Sequence, residues 1–142
     1  MKIIYLIMIS LSILNADFVR SDSNNTVIDT IHNLEWQDDS SMGSQMPMHW
    51  EDAIGHCESL SLDGSGWRLP NISELKSSLD YTQYPIIPSP FVQITNSYYW
   101  SSTSYSLTDA KNNAWYVHLY TGAIYYDEKR LNSAVRCVRD EE

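Results

Sequence analysis

The sequence predicts an α+β domain, and three observations carry that expectation. Residues 66–75 contain a helix start, residues 50–60 hold an apolar stripe at helical spacing, and the chain after residue 97 breaks into short alternating segments with the period of strands. At 142 residues, one domain is expected, and a hydrophobic content of 43% supports a modest core.

Residues 1–16 carry Lys2, an apolar run and a small residue, Ala16, ahead of Asp17. This pattern predicts a secretory signal peptide cut after Ala16, with an uncleaved anchor as the alternative. The run is short for a spanning helix, and no later stretch is long and apolar enough to cross a bilayer. With no cysteine near its end, a lipid-modified N-terminus is not expected. Residues 17–25 are polar and predict a flexible lead-in. The domain itself is expected over residues 26–140.

Val27-Ile28-Asp29 and Leu34-Glu35-Trp36 are strand-like around a turn in which Asn33 can take a positive φ, so a hairpin is expected. Asp38-Asp39-Ser40-Ser41 reads as a solvated turn in preference to a cation site. Trp50, Ala53, Ile54, Cys57 and Leu60 then recur on one helical face, and Gly55 falls on the other. His49 and His56 lie two turns apart, too far along the axis to share a metal ion easily.

In the stretch Gly66-Trp67-Arg68-Leu69-Pro70-Asn71-Ile72-Ser73-Glu74-Leu75, Pro70 holds Leu69 extended. Asn71 and Glu74 have the spacing of a capping box. Ile72, Leu75 and Leu79 share one helical face, and Trp67 and Leu69 are expected to alternate into the same interior. Arg68, between a tryptophan and a proline turn, is expected to bond carbonyls or a carboxylate. Three prolines in residues 85–90 exclude a helix or central strand there, leaving an ordered connection that packs Ile86, Ile87 and Phe91 on the core. Strands are expected over residues 98–103, 114–119, 123–126 and 134–138. In the second, Trp115, Val117 and Leu119 face one way, while Ala114, Tyr116 and His118 face the other, the more polar side, where His118 reads as a surface histidine. Thr121-Gly122 is the turn into the next strand.

The formal net charge of -9 argues against nucleic acid as a partner. Ten tyrosines and five tryptophans against two phenylalanines favour rings with a polar tip, suited to half-buried strands and binding surfaces. The two cysteines, Cys57 and Cys137, invite a single disulfide in a secreted chain; separated thiols or pairing between chains are the alternatives.

The chain resembles the Lcl C-terminal domain family, first described as a domain of unknown function and similar to C-type-lectin-like folds. The matching residues are Val27-Ile28-Asp29-Thr30 with Leu34-Glu35-Trp36-Gln37-Asp38-Asp39, then Trp50-Glu51-Asp52-Ala53 with Cys57. Trp67-Arg68-Leu69-Pro70-Asn71 with Glu74-Leu75, Tyr99-Trp100-Ser101-Ser102-Thr103 and Val135-Arg136-Cys137-Val138-Arg139 complete the ordered set. Trp36, Trp50, Trp67, Arg68, Leu69, Pro70, Glu74 and Trp100 are thus the fold signature. The resemblance implies two helices flanking a twisted, mostly antiparallel sheet with long loops, and the first helix stapled to the last strand. It also implies secretion or surface display in bacteria, and a ligand-binding or adhesive role. With five glycines and no Gly-X-Y repeat in the sequence, stalk-driven trimerisation is not expected.

These readings lead to a non-catalytic binding module for a glycan or a protein surface. Related lectins hold calcium through paired acidic and amide side chains, but Trp100-Ser101-Ser102 offers no carboxylate, so recognition without calcium and without a cofactor is expected. The candidate ligand surface is Tyr98, Tyr105, Tyr116, Tyr120, Tyr125 and Tyr126. A site for sulfated polysaccharide would need a basic cluster, for which Lys129, Arg130, Arg136 and Arg139 are the candidates. One alternative is a structural subunit of an envelope or secreted assembly. A remoter one is an enzyme of the related sulfur-modifying group, although no nucleophile, metal or nucleotide motif points to catalysis and no catalytic residue or metal ligand is assigned.

Overall fold

The computed structural model describes residues 17–107 and 112–142. The expected signal segment, residues 1–16, lies outside the described residues. Seven strands and two α-helices follow in the order β1 (Phe18–Arg20), β2 (Thr26–Asp29), β3 (Leu34–Gln37), α1 (Trp50–Glu58), α2 (Ile72–Ser77), β4 (Tyr98–Ser104), β5 (Asn113–His118), β6 (Ile124–Glu128) and β7 (Val138–Asp140), with a 3-10 turn at Ser40–Gly43. The α+β expectation is met, but with two sheets in place of one. The first is antiparallel in the order β1-β2-β3-β7, and the second antiparallel in the order β4-β5-β6.

Local chemistry accounts for the elements read correctly. Asn33 has φ 53° in the β2–β3 turn, where the short Asn side chain tolerates the left-handed region. Asn71 caps α2 by accepting from the Glu74 N–H at 2.8 Å, while the Glu74 carboxylate accepts from the Asn71 N–H at 3.0 Å. Gly122 turns the chain from β5 to β6 with φ 72°, and a Cβ there would stand 2.8 Å from the Tyr81 ring.

Two expectations fail in instructive ways. The lead-in is not flexible throughout, because Phe18, Val19 and Arg20 pair with Asp29, Ile28 and Val27 and extend the first sheet. The final strand begins later than expected, at Val138, which pairs with Trp36. Ala134 instead makes an isolated parallel bridge to Tyr99, and Arg68 exchanges backbone bonds of 2.8 and 2.9 Å with Val138, so that residues 134–138 weld the two sheets together.

The interior is divided in two, which corrects the expectation of one interior. One cluster gathers Trp36, Leu75, Phe91, Tyr99, Val117 and Leu119, with Ile72 and Leu79 against it. The other gathers Ala53, Cys57, Trp67, Leu69, Trp100 and Cys137. The β4-β5-β6 sheet lies between them: Val117 enters the first cluster and Ala114 the second, so the face assigned as the more polar one is also covered. The disulfide joins Cys57 of α1 to Cys137, just ahead of β7, with Cα atoms 5.4 Å apart.

Candidate functional site

Most of the signature residues are scaffold. Trp36 and Trp100 are fully buried, and the Trp100 indole donates to the Met48 carbonyl at 3.0 Å. The Trp50 indole donates to the Ser101 carbonyl at 2.8 Å, and the Trp67 indole to the Leu62 carbonyl at 2.9 Å. Arg68 grips Glu74 through two bonds of 2.8 Å and reaches Asp140 at 2.9 Å, which raises its pKa. Leu69 is buried, and the Pro70 carbonyl accepts from the Ser102 N–H at 2.7 Å.

Asp38 is not in a solvated turn. It is fully buried and receives Arg136 Nη1 at 2.8 Å, Arg20 Nη1, and the backbone N–H groups of Val92 at 2.9 Å and Gln93 at 3.0 Å. The Arg136 guanidinium sits over the rings of Phe91 and Tyr99. This network fastens the proline-rich connection to the first sheet. It also dissolves the basic cluster considered for a sulfated ligand. Arg136 is buried, and Arg139 pairs with Glu35 at 2.8 Å and covers the Trp67 ring. Lys129 lies 3.9 Å over the Trp50 ring and donates to Ser104, while Arg130 pairs with Glu128.

The six tyrosines separate into two groups and one outlier. On one face of the β4-β5-β6 sheet, Trp100, Tyr116 and Tyr98 form a run of stacked rings, with centroids 5.4 and then 4.2 Å apart. The edges of Tyr125 and His118 close on Tyr98 at 6.3 and 4.7 Å. His118 is therefore an aromatic partner rather than a plain surface residue. The Tyr116 hydroxyl donates to Asp127 at 3.3 Å; burial first, then the Asp127 charge, pushes its pKa up to about 12. On the opposite face Tyr105 stacks on Tyr126 at 3.8 Å, and Trp115 meets both edge-on. The hydrogen bond with Tyr126 raises the Tyr105 pKa. Tyr120 stands apart, in the β5–β6 turn, edge-on to Tyr84.

Sequence reasoning does not single out Trp115 or Asp127 for this surface. Strand parity holds the signal for both, since Trp115 lies opposite Tyr126 and Asp127 shares a face with Tyr125. The exposed members are Tyr125 at 59% and Tyr126 at 44%, both on β6 at the edge of the sheet. The sheet thus displays rings on both sides of one rim. Flat apolar faces with hydroxyls at their tips suit a sugar ring or a protein side chain.

The Ser101 hydroxyl donates to the Trp115 carbonyl at 2.7 Å, so the strand at Trp100-Ser101-Ser102 has neither a carboxylate nor a free hydroxyl at Ser101. Among the described residues no group of three or more His, Cys, Asp or Glu is placed to hold a metal ion. A cavity of about 500 Å³ elsewhere is lined by Asp29 and His32. There the Asp29 carboxylate caps a turn through the Ile31 and His32 N–H groups and fixes the His32 ring at 2.8 Å. Among the described residues no helix is long and apolar enough to cross a membrane.

A family model described as the Lcl C-terminal domain matches residues 25–139. No curated protein matches the chain significantly.

Proposed function

Because the chain belongs to the Lcl C-terminal domain family, we propose that it is a secreted or surface-displayed, non-enzymatic binding module of C-type-lectin-like fold that recognises a glycan through aromatic stacking, without calcium. The observation that carries this reading is the aromatic rim of the β4-β5-β6 sheet, where Tyr125 and Tyr126 stand exposed and are backed by Tyr98, Tyr116, Tyr105 and Trp115. Backing rings hold the exposed ones in place, so little side-chain freedom is lost when a ligand docks. The buried disulfide agrees with an oxidising compartment, periplasmic or extracellular.

The ligand class follows from charge. With a net charge of -9 and the arginines near the C-terminus already paired, the surface fits neutral sugars better than sulfated ones. The test is binding of the oxidised chain to a broad glycan array, with and without a chelator. Calcium-independent, salt-tolerant binding that falls on Tyr125→Ala or Tyr126→Ala supports the reading, and binding abolished by the chelator refutes it. A second reading, a structural subunit of an assembly, is favoured by the outer edge of β6, which pairs with no strand among the described residues.

A further inference from the structure

We propose that two copies of this chain pair through β6, antiparallel about a twofold axis at Tyr125, to form one continuous six-stranded sheet. The backbone pattern dictates the register. His118 N–H donates to the Ala123 carbonyl and Lys129 N–H to the Asn112 carbonyl, so the odd residues of β6 bond to β5. The even ones, Ile124, Tyr126 and Glu128, turn their N–H and C=O groups outward. Glu128 is already satisfied, its N–H by the Asp127 carboxylate at 2.8 Å and its C=O by the Leu131 N–H at 2.9 Å. Ile124 and Tyr126 have no backbone partner on that side among the described residues.

Two free residues on either side of a central one form a self-complementary edge. With Ile124 opposite Tyr126 of a second copy, and Tyr126 opposite its Ile124, all four outward N–H groups meet outward carbonyls. The alternative that sets Tyr126 opposite Tyr126 sets Ile124 against Glu128, whose groups are occupied. In the favoured register each Tyr126 packs on an Ile124, and the two Tyr125 rings meet across the axis, an aromatic pair between β-branched and aromatic neighbours. The charges are out of the way. Asp127 falls opposite Ala123, which leaves the two Asp127 carboxylates about 13 Å apart, four residues along the strand, beyond the screening length of about 8 Å in physiological salt. Proline and lysine, which commonly blunt edge strands, are absent from residues 123–128, and the charged residues there, Asp127 and Glu128, are confined to one end. A single edge strand is a small interface, so the dimer is weak and forms when the chain is concentrated.

The register makes a positional prediction. Tyr125 lies in a non-hydrogen-bonded pair with its copy, at a Cα separation of about 4.5 Å that suits a disulfide. The two Tyr126 Cα atoms are offset by two residues, about 8 Å apart and outside that range. The experiment compares Tyr125→Cys with Tyr126→Cys in a glutathione buffer, each rate normalised to the reaction of that thiol with a small disulfide reagent; the native cysteines are buried in their own bond. Covalent dimer is expected about tenfold faster from Y125C. Sedimentation of the parent chain at rising concentration should shift towards a dimer, while Tyr125→Lys, placing two ammonium groups at the axis, stays monomeric with an unchanged circular dichroism spectrum. Equal or reversed cross-linking rates, or a Y125K chain that associates like the parent, overturn the proposal. Neither readout uses a glycan, so the result is independent of the ligand reading.

Discussion

Replacing Asp38 with alanine tests the buried ion network most directly. The change removes the acceptor for Arg20 Nη1, Arg136 Nη1 and two backbone N–H groups at once, and leaves the Arg136 guanidinium, 1% exposed, without a counter-charge. Breaking a buried pair from one side destabilises by about 3–5 kcal/mol. With a urea slope of about 2 kcal/mol per molar, the midpoint of unfolding should fall by about 2 M. Arg136→Met is expected to be milder, because Asp38 retains Arg20 and both N–H groups, and the methionine still packs between Phe91 and Tyr99. The double variant should then be less destabilised than the sum of the singles, by about 0.5–3 kcal/mol. Urea unfolding followed by tryptophan fluorescence measures all three. A loss below about 1 kcal/mol for D38A, or strict additivity in the cycle, would refute the reasoning.

Three further outcomes are expected. Replacing Cys57 and Cys137 together by alanine opens a loop of 80 residues and should lower stability by about 4–5 kcal/mol in the chain-entropy model, read as a large drop in melting temperature. Asn71→Ala removes the α2 cap and should cost about 1 kcal/mol by urea unfolding, with Asn71→Asp close to neutral. The Tyr116 phenol, whose folded pKa is raised to about 12 from 10.0, adds stability that is full below pH 10 and is lost as the pH climbs to about 12. Ultraviolet titration should show a phenol that ionises near pH 12, and Asp127→Asn should lower that value.

Features set by neighbours in the chain were legible, and those set by distant partners were not. The Asn71 cap is written three residues from Glu74, and the β2–β3 hairpin in an alternation interrupted by Asn33. Phe18 to Arg20 look like part of a polar tail because three residues carry too little pattern; they are a strand only because Val27 to Asp29 offer an edge. Asp38 reads as a solvated turn for the same reason. Its partners lie 18, 54, 55 and 98 residues away, where no local motif can point to them. The candidate surface stood between these cases. Parity placed Tyr116 and His118 on one face, but the exposure of Tyr125 and Tyr126 depends on β6 being the edge, a property of strand order rather than of any residue. The basic cluster failed because clustering in sequence near the C-terminus became dispersal in space, through pairing with Asp38 and Glu35.

The pairing of β3 with β7 carries a consequence for how this chain is made. Trp36 finds its partner in Val138, and Cys57 in Cys137, 80 residues further on, so the fourth strand of the first sheet and the covalent closure both come from far along the chain. If the chain is exported amino-terminus first, β1, β2 and β3 can pair with one another while the outer side of β3 stays without its native partner until β7 has emerged. Such a topology delays the last strand and the staple until β7 emerges, and then commits both together.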